Sequence, residues 1–376
     1  MSGQLFRDHT TLGVGGPARG WEVFADEQEL IRRARQLWAQ EEDWLVLGGG
    51  SNLVVADEGF DGTVLQLATA GVQRLDSRPG VARLRVAAGM EWDALVSRCV
   101  QEGLAGIEAL SGIPGSVGAA PVQNIGAYGQ EIAQSLAAIE FLEHDSGELL
   151  RLGAPELGLG YRSSALKEGR RGIVLAVELF LEEYGGSGPA LSRPVAYAQL
   201  AAALDVPLGA RVPIGQLREA VLGLRRGKGM LLDPADPDTR SAGSFFTNPI
   251  VRESFARTLP AEAPRWPVDE MTEEAVVTPL SDLAAGEPLR LPRRVPSEHQ
   301  VKLSAAWLIE HAGIGRGYRL PGSRAAVSGK HTLAITNTGG ATAEEVAQLA
   351  RFIVGRVQSE FGVILRPEPL LLGIEL

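Results

Sequence analysis

The chain has 376 residues, 45% apolar and 22% charged, which is ordinary for a globular protein and long enough for two or three packed cores. Its net charge of -10 argues against nucleic acid or an anionic membrane surface as the main partner, because affinity for such surfaces needs a basic face. The single cysteine, Cys99, excludes an internal disulfide, and neither a leader pattern nor an apolar run of bilayer length is found, so a cytoplasmic protein is expected.

Asp26 to Gln40 reads as the first helix, with Asp26 as N-cap, Glu29 three residues on, and Leu30, Ile31, Ala34, Leu37 and Trp38 on one face. It leads into two apolar triads, Leu45-Val46-Leu47 and Leu53-Val54-Val55, separated by Gly48-Gly49-Gly50-Ser51-Asn52. Bare backbone between strands suits either a tight hairpin or an anion cradle, since glycines let consecutive N–H groups turn toward a phosphate. The alternation in Ala82 to Ala88 predicts a strand, and Trp92 to Glu102 a helix that buries Cys99 as an inert thiol. From Gly103 to Glu131 charge nearly vanishes, and Gly112 to Gly129 reads as ordered irregular backbone lying against a large ligand. Ile139 to Leu142 and Gly172 to Leu181, with a turn at Asp145-Ser146-Gly147, complete a sheet.

Gly185 to Pro189 is the clearest boundary by turn chemistry, and a second domain starts near Tyr197. Its helix, Pro213 to Arg226, gives way to the basic loop Arg225 to Gly229 and then to Ser241 to Pro249. Leu259 to Glu298, rich in Pro, Glu and Ala without a period, reads as a mobile surface excursion. Thr342-Ala343-Glu344-Glu345 is a capping box for a helix through Val346, Leu349, Ile353, Val357 and Phe361. Strand Val363 to Leu365, the triplet Arg366-Pro367-Glu368 and strand Leu370 to Leu372 close the chain.

The standard chemistries fail one by one. No lysine follows Gly50 as a Walker loop requires, and a strand instead of a Rossmann helix follows the glycines. The histidines lack metal-ligand spacing, so no metal is expected, and no G-x-S-x-G elbow surrounds Ser51, Ser116 or Ser244. A bound cofactor is left to supply the chemistry.

Six segments in register, spread over nearly the whole chain, resemble the UDP-N-acetylenolpyruvoylglucosamine reductases of bacterial peptidoglycan synthesis. They are Leu47 to Leu53, Gly112 to Gly129, Gly160-Tyr161-Arg162-Ser163-Ser164, Ala242 to Pro249, Lys302 to Glu310 and Arg366-Pro367-Glu368. The resemblance implies an α+β fold whose FAD-binding domain, similar to that of vanillyl-alcohol oxidase, occupies residues 1–184 as two subdomains, about 1–68 and 69–184, with 363–376 returning to it. It implies further a linker or tyrosine loop at 185–212 and a smaller α+β substrate-binding domain at 213–362 with a flexible insertion at 271–298.

Non-covalent FAD would be held by Gly48, Gly49, Gly50, Ser51, Asn52, Ser116, Gln123, Asn124, Gly126, Ala127 and Tyr128. The implied reaction takes reducing equivalents from NADPH through FAD to UDP-N-acetylenolpyruvoylglucosamine, giving UDP-N-acetylmuramate. Tyr197, Lys228 and Asn248 match substrate-binding positions, and Tyr197 places the chain near the subclass that closes a tyrosine loop over substrate. Arg162, Ser244 and Glu368 match the catalytic positions: a clamp on the substrate carboxylate, a proton donor, and a carboxyl group that assists at the enolate in its protonated form. The last role requires a raised pKa. On the residues alone, Arg162 also suits a surface ion pair, Ser244 a turn under two aromatics and Glu368 a solvated strand end. A monomer without a nucleic-acid partner is expected.

Overall fold

The computed structural model describes residues 3–184, 188–268, 271–273, 294–296 and 300–376. Backbone contacts group the chain into two compact units, Met1–Phe245 with Arg316–Ala350 and Glu368–Leu376, and Phe246–Gly315 with Arg351–Pro367.

The first unit opens with β1 (Ala18–Phe24), α1 (Glu27–Ala39), β2 (Trp44–Leu47), β3 (Leu53–Val55) and β4 (Phe60–Leu67). β1 and β2 both pair parallel with β4, so α1 is a crossover in a three-stranded parallel sheet. The helix starts where its cap predicts: Asp26 Oδ1 accepts the Glu29 N–H at 2.8 Å, and Leu30, Ile31, Ala34 and Leu37 are buried.

Next come β5 (Val72–Leu75), β6 (Val81–Ala87), α2 (Trp92–Gln101), β7 (Leu104–Ala105), β8 (Gly126–Ala127), β9 (Gln130–Glu131), β10 (Leu136–Glu143), β11 (Leu149–Gly153) and β12 (Gly172–Glu183). They build an antiparallel sheet of order β11-β10-β12-β6-β5, with β7 on the end of β12 and β8 paired to β9 outside it. Its core joins Leu84, Val86, Trp92, Leu95, Cys99, Ile139, Phe141, Val177 and Leu179, and each large side chain contributes about 1.5–3 kcal/mol by leaving water. Burial raises the Cys99 thiol pKa to about 12, as a structural cysteine requires. Arg85 on β6 bonds Glu140 on β10 at 2.7 Å and Glu27 at the start of α1 at 3.0 Å, which ties the parallel sheet's helix to the antiparallel sheet. α3 (Ala198–Leu204) and α4 (Ile214–Gly227) share a small core of Leu200, Leu204, Leu217 and Val221 with Ala109 and Val195.

The second unit contains β13 (Ile250–Arg252), α5 (Glu253–Ala256), β14 (Arg265–Val268), β15 (Met271–Glu273), β16 (Arg294–Pro296), β17 (Gln300–Leu303) and α6 (Ala305–His311). β17 is the centre of an antiparallel sheet between β13 and β14, and β15 pairs with β16. Apart from those two strands, the insertion expected at 271–298 lies outside the described residues, as does Gly185-Gly186-Ser187 of the expected boundary.

β18 (Ala325–Val327) and β19 (Ile335–Asn337) form a hairpin in the first unit, and α7 (Ala343–Phe361) follows. The capping box is reciprocal: Thr342 Oγ1 accepts the Glu345 N–H at 3.1 Å, and Glu345 Oε2 accepts the Thr342 N–H at 2.9 Å. Val363 to Leu365, expected as a strand, forms none: buried Val363 and Leu365 alternate with exposed Ile364, but no ladder partner lies beside them among the described residues. β20 (Leu370–Leu372) pairs parallel with β3, so the glycine loop is not a hairpin. Its two strands enter different sheets, and the chain's last strand lies beside the loop's exit. Among the described residues, no helix is long and apolar enough to cross a membrane.

Candidate active site

Between β2 and β3 the loop Gly48 to Asn52 packs backbone to backbone on its neighbours. A Cβ on Gly48 would lie 2.1 Å from Ser116 Oγ, and one on Gly50, whose φ is +58°, would lie 2.0 Å from the His9 carbonyl oxygen. Only glycine fits at position 50, and a side chain at position 48 would displace the Ser116 hydroxyl. Among the described residues no backbone carbonyl accepts from the N–H of Gly49, Gly50 or Ser51, so three donors stay available to an anion. Ser51 Oγ donates to the Pro114 carbonyl at 2.9 Å and fixes the loop against the uncharged segment. Ser116 Oγ is buried there without a hydrogen-bond partner. A buried hydroxyl left unpaired costs about 1–3 kcal/mol, and a bound ligand would satisfy it. Free donors, a tight glycine wall and an unsatisfied hydroxyl together fit the pyrophosphate of a dinucleotide cofactor.

The uncharged segment is held by its own side chains. Asn124, with φ +47°, donates from Nδ2 to Glu131 Oε2 at 2.8 Å and to the Gly160 carbonyl at 3.0 Å, and its Oδ1 accepts the Ala133 N–H at 3.1 Å. Its amide is thus engaged with protein, and the β8–β9 pair places Gly126 and Ala127 beside it. Gln123 Oε1 accepts from Asn52 Nδ2 at 2.6 Å, which joins this segment to the glycine loop.

Arg162 and Glu368, 206 positions apart in sequence, meet here because β20 lies on β3. Arg162 Nε is 3.0 Å from Glu368 Oε1, and its Nη2 donates to the Gly126 carbonyl at 2.7 Å. Arg162 holds φ +53°, a left-handed conformation that costs a residue with a Cβ about 1–2 kcal/mol and that the surrounding bonds maintain. The carboxyl of Glu368 is only 14% exposed, and burial raises its pKa despite the opposing charges of Arg162 and Lys167. Its N–H donates to the Phe245 carbonyl at 2.9 Å, and this bond sets Ser244 one residue from the same point. Ser244 Oγ lies 3.4 Å from His331 Nε2.

A third group lies around Tyr128, which has φ +49°. Its ring meets Tyr197 edge-on at 5.7 Å, and the Lys228 ammonium stands 5.6 Å from the ring centroid. Lys228 donates to Gln199 Oε1 at 2.9 Å and has no acidic partner among the described residues. Burial, with Arg225 nearby, pushes its pKa down, so the site disfavours a lone cation and favours an added anion. Asn248 belongs to the second unit, where its Oδ1 accepts the Ala305 N–H at 2.9 Å at the start of α6.

The structure adds residues that spacing did not indicate. Lys167 donates to the Glu368 carbonyl at 3.4 Å, Glu131 pins Asn124, and His331 touches Ser244. Lys167 stands five residues past Arg162 in the same turn-rich stretch, and His331 is a lone histidine in a polar turn between two buried strands; both patterns are visible in sequence, although neither is diagnostic.

Residues 22–153 match a family model described as FAD binding domain, and residues 234–372 match one described as UDP-N-acetylenolpyruvoylglucosamine reductase, C-terminal domain. A UDP-N-acetylenolpyruvoylglucosamine reductase of Leifsonia xyli is 56% identical over 370 residues, covering 98% of this chain and 97% of the relative. Its counterpart in Saccharopolyspora erythraea is 46% identical over 374 residues, covering 100% and 96%. The crystal structure of the enzyme from Thermus caldophilus superposes with a TM-score of 0.61 at 29% identity, covering 98% of this chain and 97% of that one. The cradle and the Arg162–Glu368 pair therefore sit in a mixed α/β FAD-binding fold followed by a C-terminal domain, and the chain belongs to the UDP-N-acetylenolpyruvoylglucosamine reductase family.

Proposed function

We propose that the protein reduces the enolpyruvyl ether of UDP-N-acetylenolpyruvoylglucosamine to the lactyl ether of UDP-N-acetylmuramate in peptidoglycan precursor synthesis, with NADPH as reductant, in the cytoplasm and as a monomer. In this reading residues 1–184 with the C-terminal strand hold FAD, and 213–362 form the substrate-binding domain. The N–H groups of Gly49, Gly50 and Ser51 would hold the pyrophosphate of FAD, with Gly48 and Asn52 completing the loop, and Ser116 Oγ would donate to the cofactor. Gln123, Asn124, Gly126, Ala127 and Tyr128 present the close backbone for the flavin. When bound, FAD supplies the hydride delivered to the β-carbon of the enol ether.

The chain's own residues then manage charge and proton. Negative charge grows on the α-carbon and its carboxylate, and the Arg162 guanidinium holds it more tightly as it grows. A protonated Glu368 donates a hydrogen bond to the same developing charge, a role its raised pKa supports. Ser244 gives its hydroxyl proton to the α-carbon; a carbanion-like enolate is basic enough that position outweighs acidity. Lys228 is the cation for the substrate's diphosphate, and Tyr197 and Asn248 are the other substrate-binding residues in this reading.

The observation that carries the reading is the meeting of Arg162, Glu368 and the Ser244 segment beside the glycine cradle. Ser244→Ala holoenzyme tests it: NADPH should still bleach the flavin, while recovery of flavin absorbance on adding the enolpyruvyl substrate should slow by at least about 10²-fold. Recovery at the wild-type rate would remove Ser244 from its role.

A further inference from the structure

Ser244 is one of the least acidic groups that could be asked to protonate carbon, and its hydroxyl is a free rotor unless something fixes it. A serine oxygen carries one donor and two acceptor lone pairs, so a donor placed on a lone pair leaves the O–H fewer directions to point. His331 Nε2 stands 3.4 Å from Ser244 Oγ, a long contact of the kind that tightens when substrate closes a site.

The loop that carries His331 is itself rigidly built. Asp238 Oδ1 accepts from Ser328 Oγ at 2.9 Å and from the Gly329 N–H at 2.8 Å, and Ser328 Oγ accepts the N–H of Lys330 at 3.0 Å and of His331 at 3.3 Å. Lys330 pairs with Asp236, and the Leu333 carbonyl accepts the Phe245 N–H at 2.7 Å. The histidine and the serine are thus fixed to one frame from both sides, which a surface histidine would not need.

We propose that His331 is a positioning residue for Ser244: Nε2–H donates to the Ser244 oxygen, aims the serine proton at the substrate, and holds the charge left behind. This rests on the reading of Ser244 as proton donor. In the step itself the Oγ–H bond breaks and a C–H bond forms at the α-carbon. The electron pair of the broken bond stays on Oγ, steadied by the Nε2–H donor, until solvent returns a proton.

The test uses holoenzyme carrying His331→Leu, His331→Gln or Ser244→Ala, and follows flavin bleaching by NADPH separately from flavin recovery by substrate. His331→Leu should slow recovery by about 10- to 10³-fold, the scale of losing one preorganised donor, while bleaching stays within about twofold. His331→Gln, whose amide donates at similar reach, should restore recovery to within about fivefold. In ¹⁵N-histidine spectra of the oxidised holoenzyme, Ser244→Ala should move the His331 Nε2 resonance. Normal recovery in His331→Leu with slow recovery in Ser244→Ala would overturn this proposal alone. So would a Gln variant as slow as Leu, equal loss of bleaching and recovery, or an unmoved resonance. Normal recovery in Ser244→Ala would overturn the proton-donor reading and this one with it.

Discussion

Replacing Arg162 by Met removes the cation that faces a buried carboxyl group. With 3.0 Å between Arg162 Nε and Glu368 Oε1, the pair attraction at an effective dielectric of about 20 is at most about 5 kcal/mol, and the partial exposure of both side chains lowers it to about 2–4 kcal/mol. The sign with pH follows from the raised pKa of Glu368. Its contribution to stability is full below the unfolded carboxyl pKa and is lost as pH rises through the higher folded value; without Arg162 that value rises further and the loss deepens. Arg162 also bonds the Gly126 carbonyl, so a double-mutant cycle with Glu368→Gln is needed to isolate the pair. Denaturant unfolding of the four holoenzymes should give a coupling of about 2–4 kcal/mol where the Glu368 carboxyl is ionised, falling below about 1 kcal/mol as pH drops through its raised folded pKa and the carboxyl is protonated. In a chain of 376 residues the larger figure corresponds to a melting shift of only about 5 °C, so denaturant titration is the better assay. A coupling near zero, or one independent of pH, would refute the argument that burial controls Glu368 and that Arg162 opposes it.

Three further outcomes follow from the site. Gly50→Ala puts a Cβ 2.0 Å from the His9 carbonyl at a φ of +58°, so the protein should purify with little flavin; a full flavin complement would show that the cradle tolerates rearrangement. Ser116→Ala removes a single neutral partner and should weaken FAD only about 2- to 13-fold in equilibrium titration. Lys228→Gln removes a cation with no acidic partner among the described residues, and the KM for the UDP-sugar should rise about 10- to 150-fold with flavin content unchanged; an unaltered KM would exclude Lys228 from diphosphate binding.

Local patterns in the sequence were sufficient wherever the deciding interactions are local. Asp26 caps α1 by accepting the N–H of Glu29 three residues on, and Thr342 and Glu345 cap α7 reciprocally. The uncharged Gly112 to Gly129 stretch is irregular and tight, as a segment without charge or period should be. The failures are long-range. Nothing near Leu53 announces that its partner strand begins at Leu370, so the glycine loop looked like a possible hairpin; nothing near Val363 announces that its alternation lacks a ladder partner. The positive φ of Arg162 belongs to a local turn in which Gly160 and Ser163 exchange N–H···O=C bonds, but the partners of its side chain, the Gly126 carbonyl and Glu368, are distant in sequence. His331 is not legible in the sequence for the same reason, since its significance comes from a serine 87 positions earlier.

The most direct test is NADPH consumption by the purified yellow protein with and without UDP-N-acetylenolpyruvoylglucosamine. The account predicts slow consumption alone and a large acceleration on adding the enolpyruvyl sugar, with UDP-N-acetylmuramate formed in proportion to the NADPH spent. Consumption that the sugar does not accelerate, or that yields no lactyl ether, would contradict it.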